Sequence, residues 1–183
     1  MLGSMVLRAR ILATAALLGL LTACAPTLGP APPRTSRPPP PTADFRAGDF
    51  AWAQVPGRNA LVGRLAFRQG AVAYNCTNAS VILTPETPWS RRRMAVLYKS
   101  DVRSALPSDE VRARTPQAPP GNSDPFIKRT TCDATNHFSF TGLPDGAWYV
   151  VTIGRPAAGG SGHSLAFMRR VVTRGGRVTT FDF

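Results

Sequence analysis

Three cysteines, two histidines and a run of arginines beside a tryptophan are the residues whose types could do chemistry in this sequence. The cysteines stand at 24, 76 and 132, and no pair has the C-x-x-C spacing of a dithiol redox centre, which argues against redox catalysis. A zinc site draws several His, Cys or carboxylate ligands from local spacings such as H-x-x-E or H-E-x-x-H. Neither His137 nor His163 has an acidic residue at such a spacing, so both read as ordinary exposed or strand-edge histidines, and no metal is expected. Gly160-Ser161-Gly162 and Gly162-His163-Ser164 lack the G-x-S-x-G pattern and the strand-to-helix setting of a nucleophile elbow. Trp89 with Arg91, Arg92 and Arg93 is left as the candidate binding patch: guanidinium groups there could meet phosphates or carboxylates, or form a solvated face. Acid, base and nucleophile do not converge, no cofactor motif is present, and the reading is non-enzymatic.

The chain that must position these residues begins with a segment that is not a domain. Arg8 and Arg10 precede an apolar run over residues 11–21, the length of a signal-peptide core and too short for a permanent span. It ends in Leu21-Thr22-Ala23-Cys24, which resembles the lipobox of bacterial lipoproteins. The resemblance implies that residues 1–23 are a signal peptide and that Cys24, the first mature residue, carries thioether-linked diacylglycerol and an N-acyl chain. At about 0.8 kcal/mol per buried CH₂, two or more acyl chains anchor stably where one binds only marginally. In Gram-negative lipoproteins an Asp after the lipidated Cys favours inner-membrane retention; Ala25 stands there, which points to the outer membrane.

Residues 24–44 then read as a lipidated Cys and a Pro-rich linker, with Pro26, Pro30, Pro32 and Pro33 followed by four prolines at 38–41. Proline fixes φ and lacks the N–H, so such a stretch forms neither helix nor sheet; as polyproline II at roughly 3.1 Å per residue it reaches about 50 Å. The formal charge of +12 would ordinarily raise nucleic acid as a partner. All the cations except Lys99 and Lys128 are arginine, however, and the implied compartment holds no nucleic acid. The expected partners are the membrane, through the lipid, and an envelope protein, peptidoglycan or lipopolysaccharide.

Lipidation of Cys24 would leave an even pair of cysteines in an oxidising compartment, each beside a strand end. Cys76 and Cys132 are therefore expected to form a disulfide, with two separate buried thiols as the alternative. Chain entropy gives such a loop about 4 kcal/mol.

The folded part, residues 45–183, reads as short strands. Residues 49–55 read as a first strand, with Phe50, Trp52 and Gln54 on one face; 60–67, 71–75 and 79–84 follow. Residues 86–125 break the pattern. Ser90 reads as the N-cap of a short helix reaching Tyr98, although residues 94–98 suit a strand as well, and residues 100–122 read as a long exposed loop. Later strands are expected at 126–132, 136–140, 147–153, 164–173 and 177–183. Those at 136–140 and 147–153, on either side of Pro144-Asp145-Gly146, read as strand, tight turn, strand, and Gly175-Gly176 reads as a two-residue hairpin turn.

Gly63 after an opening strand, Ala79-Ser80-Val81-Ile82-Leu83, and Phe138-x-Phe140-x-x-Leu143-Pro144-x-Gly146-x-Trp148 together resemble carboxypeptidase regulatory-like domains. The resemblance implies an all-β fold, a seven- to eight-stranded transthyretin-like β-sandwich with one long insertion at 86–125, and it says almost nothing about ligand. Asn136-His137 replaces the Gly usual before the first Phe, and the insertion is longer than usual.

Two function classes follow. In one, the chain is a non-enzymatic envelope lipoprotein whose tethered sandwich binds or supports a protein or cell-wall polymer. In the other it is a carbohydrate-binding or enzymatic accessory with its site on the 86–125 insertion. A concave pocket joining Trp89 to charged residues would favour the second; an insertion laid flat over the sheet would favour the first.

Overall fold

A computed structural model describes residues 44–157 and 162–183. The expected signal peptide, Cys24, nearly all of the Pro-rich linker and most of a Gly-rich turn at 157–162 lie outside the described residues. In chain order, a 3₁₀ helix over Ala47–Gln54 precedes β1 (Asn59–Arg64), β2 (Arg68–Gln69), β3 (Val72–Asn75) and β4 (Ser80–Pro85). Then come α1 (Pro88–Tyr98), β5 (Arg103–Pro107) and α2 (Ser108–Ala113), followed by β6 (Lys128–Thr131), β7 (His137–Leu143), β8 (Gly146–Pro156), β9 (Leu165–Thr173) and β10 (Val178–Asp182).

The strands form two sheets. The smaller has the order β10-β1-β7, with β10 parallel and β7 antiparallel to β1. The larger is built on β8, which pairs β4, β9 and the end of β3; β6 lies outside β4, β5 outside β9 and β2 outside β3. Between the sheets lie Leu61, Phe138, Phe140 and Leu143 from one side and Val81, Leu83, Trp148, Val150, Phe167 and Val171 from the other, all buried. At about 1.5–3 kcal/mol per fully buried large apolar side chain, this interior is the dominant stabilising term. The fold is an all-β sandwich, as the period-two alternation of Phe138, Ser139 and Phe140 implies.

Pairing differs from the local reading in two places. The strands on either side of Pro144-Asp145-Gly146 are in opposite sheets: β7 pairs β1, whereas β8 pairs β4 and β9. Gly175 and Gly176 have φ of 69° and 68°, the left-handed pair of a tight turn, yet β10 pairs β1 and not β9. Alternation tells which face of a strand is buried but not which strand lies beside it. Both turns carry the chain across the sandwich.

Two segments differ in kind. Residues 49–55 form no strand, because the buried pair is Phe50 and Ala53, three residues apart, a spacing that suits a helical turn. Residues 100–122 are not an exposed loop: β5 pairs the whole of β9's first half, and α2 and Ala118 pack inward. At 126–132 the strand is shorter than expected, β6 following a 3₁₀ turn over Asp124–Phe126.

Cys76 and Cys132 are bonded, with Cα atoms 5.7 Å apart, and both are buried. The bond ties the corner between β3 and β4 to the end of β6, where Asn78 N–H donates to Cys132 O and Cys132 N–H to Ala79 O.

Candidate functional site

The insertion is a layer folded over the outer face of the larger sheet. Met94, Leu97 and Tyr98, spaced as one helical face, pack with Val111 and Ala118 onto Tyr149, Ala166 and Met168. α1 starts one turn earlier than the sequence suggests. Thr87 is the N-cap: its Oγ1 accepts from Ser90 N–H at 3.0 Å, and Thr87 N–H donates to Ser90 Oγ at 2.8 Å, with Pro88 at the first helical position. That reciprocal cap, closed further by Ser90 Oγ donating to Pro85 O, decides helix over strand for residues 94–98.

The expected patch is dispersed by this start. Trp89 is buried, not exposed: it packs against Phe45 and Phe50, and its Nε1–H donates to Pro120 O at 2.8 Å. Arg93 is drawn in with it, its guanidinium 5.4 Å from the Trp89 ring centroid and donating to Pro119 O. Arg92 stays exposed and Arg91 pairs with Glu86. Trp89 and Arg93 therefore lock residues 119–120 onto α1, and only Arg91 and Arg92 of the four face outward.

Arg91 leads to a cleft of about 670 Å³ that the sequence reading did not single out, at the foot of the insertion. Its walls are Trp52 from the 3₁₀ helix, Asp145 and Gly146 from the turn into β8, and Glu86, Pro88 and Arg91 from the start of α1. Glu86 N–H donates to Ala147 O, holding the helix entry against β8. Its carboxylate is 7% exposed and both oxygens are taken, Oε1 by Arg91 and Oε2 by Arg170 at 2.6 Å. Nearby, burial first and then the Glu86 carboxylate push the Tyr149 hydroxyl up to about 12.

Trp52 is half-buried, edge-on to Trp148 with ring centroids 4.9 Å apart. It lies so close over Gly146 that a Cβ there would come within 2.1 Å of the ring, so only glycine lets the indole settle onto the turn. Among the described residues Asp145 is fixed through Oδ1, which accepts from Asn59 Nδ2 and Gly175 N–H at 2.9 Å each. Those two bonds, Asn59's first, hold its carboxyl below the usual carboxylate range. The cleft thus presents an indole, an ionised carboxylate with Oδ2 free of these bonds, and the exposed guanidinium of Arg91. Its volume is within the range of small-molecule sites, and its lining contains no Ser, Cys, His or Lys. Among the described residues no group of three or more His, Cys, Asp or Glu could hold a metal ion.

No family model and no curated protein matches this chain. Among solved structures, the crystal structure of a proposed carbohydrate binding protein from Pseudomonas aeruginosa aligns with a TM-score of 0.55 at 19% identity, covering 76% of this chain and 98% of the other. The likeness is one of fold.

Trp52 and Asp145 were legible as residues but not as a site. Trp52 sat in a segment read as a strand, and Asp145 in a turn read as a simple reversal. The one signal available was Gly146, whose lack of a side chain next to Asp145 leaves room for a ring.

Proposed function

We propose that this chain is a non-catalytic binding module of the bacterial envelope, lipid-anchored to the outer membrane through Cys24, whose cleft takes a sugar unit of a cell-wall or envelope polymer. The observation that carries the reading is the convergence of Trp52, Asp145 and Arg91 on one cleft. An indole suits the C–H face of a sugar ring, and a carboxylate and a guanidinium placed at its edge suit the hydroxyls. Both Glu86 oxygens being held by arginines supports binding over glycoside hydrolysis, which needs a carboxyl free to give a proton. The description of the Pseudomonas aeruginosa protein as a proposed carbohydrate binding protein is compatible with this reading.

Co-sedimentation of the purified protein with isolated peptidoglycan sacculi, and retention on immobilised lipopolysaccharide, test the ligand. Binding to one of them should weaken at least about tenfold in Trp52→Ala and in Arg91→Ala, with the circular dichroism of both variants unchanged. Retention that neither substitution alters would remove the cleft from the account. Cys24→Ala should shift the protein out of membrane fractions; persistent attachment would refute the lipid anchor.

A further inference from the structure

The helices of the insertion cover only part of the larger sheet's outer face. Beyond them, between α2 and the outward side chains of β4 and β8, runs a groove of about 470 Å³ that shares no lining residue with the Trp52 cleft. Its floor is Ile82, Val151 and Ile153; Tyr98 and Val111 form the wall beneath the helices. Ile153 is 41% exposed, one of few large apolar side chains left open to solvent among the described residues. Arg112 and Arg155, both exposed, also line the groove.

Exposed arginines without a carboxylate partner occur elsewhere on the surface, as at Arg92 and Arg177, but Arg112 and Arg155 border the same apolar trough. Arg64, Arg91, Arg114, Arg129 and Arg170 each meet a carboxylate of the fold. The guanidinium groups of Arg112 and Arg155 make no hydrogen bond or ion pair with any described residue. Two unneutralised guanidinium groups bordering one apolar trough complement a ligand that is anionic at one end and hydrocarbon along its body. Guanidinium is the side chain best suited to carboxylate and phosphate oxygens, and the isoleucine and valine floor gains by shedding water.

We propose that this groove binds a single-chain anionic amphiphile, its acyl chain along Ile82, Val151 and Ile153 and its carboxylate or phosphate between Arg112 and Arg155. The site is independent of the Trp52 cleft, so either stands without the other.

The chain contains four isoleucines, Ile11, Ile82, Ile127 and Ile153, and isoleucine-methyl NMR therefore reads the groove site-specifically. The test uses the full chain in nanodiscs of phosphatidylcholine, titrated with dodecanoate, dodecyl phosphate and, as the uncharged probe, dodecanol. Dodecanoate or dodecyl phosphate should shift the Ile82 and Ile153 signals saturably while Ile127, outside the groove, stays in place; the tighter of the two names the headgroup. Arg112→Glu with Arg155→Glu should raise the midpoint at least about tenfold, the loss expected for charge-assisted hydrogen bonds, whereas Arg177→Glu, an exposed arginine away from the groove, should not. Dodecanol acting as well as dodecanoate would overturn the proposal, as would shifts that Arg177→Glu weakens equally. Failure of both anions to move Ile153 would also overturn it, and dimerisation blocked by Ile153→Glu would then assign the groove to a second copy.

Discussion

Tyr149 is fully buried under α1, and its hydroxyl has no hydrogen-bond partner among the described residues. A buried donor left unmade costs about 1–3 kcal/mol, more than the hydroxyl returns. Tyr149→Phe should therefore raise stability, by about 1 kcal/mol in urea unfolding; a loss of stability would show that the hydroxyl is satisfied. Trp89 is the opposite case. With the ring enclosed by Phe45, Phe50 and Arg93 and its Nε1 bonded to Pro120 O, Trp89→Ala should cost about 3–5 kcal/mol, where a solvent-exposed binding tryptophan would cost little. In the sequence, Trp89 next to three arginines reads as a surface patch, because charge neighbours are visible there and tertiary neighbours are not. Phe45 and Phe126, its partners in the same aromatic cluster, are remote in sequence.

At the scale of elements, α1 depends on its first turn. Ser90 is fully buried, and its hydroxyl serves both the cap and Pro85 O, so it joins the end of β4 to the helix. Thr87→Ala should cost about 1 kcal/mol, as N-cap loss usually does, and Ser90→Ala more, since Pro85 O and Thr87 N–H then lose a buried partner. Hydrogen exchange should speed first at the start of α1; uniform protection in both variants would show that sheet contacts alone hold the helix. Strands were readable where one face is buried: β1, β4, β7 and β9 all stand where alternation or an apolar run placed them. β5 was hidden because Arg103-Ser104-Ala105-Leu106-Pro107 has little apolar content of its own, and it becomes a strand by pairing with β9. The partners of β7 and β10 were hidden for a different reason, since sheet membership is decided across the core.

The whole molecule carries few acids for its size, and the way they are held sets its response to pH. Residues 44–183 contain eighteen Lys and Arg against ten Asp and Glu. Four of these carboxyls have pKa values held below the ordinary range: Glu110 by Lys99 and Arg114, Asp133 by the backbone N–H of His137, Asp145 by Asn59, and Asp182 by Arg64. A carboxyl depressed in the folded state adds stability that is fully present above its unfolded value, near 4, and is lost as pH falls through its folded value. Protonation would also release Arg64 and Arg114 from their pairs in a domain already rich in positive charge, which adds to the loss; the Arg64–Asp182 pair is solvent-exposed, so its share is small. The alkaline limit has the opposite sign. Burial raises Tyr98 and Tyr149, so their contribution is complete below the unfolded tyrosine value near 10 and is lost as pH climbs from there toward the folded values. Urea midpoints should accordingly fall below about pH 4 and again above about pH 10. Tyr149→Phe should soften only the alkaline fall and Asp182→Asn only the acid one; an acid fall unaltered by Asp182→Asn would show that its pairing with Arg64 contributes nothing to the folded state.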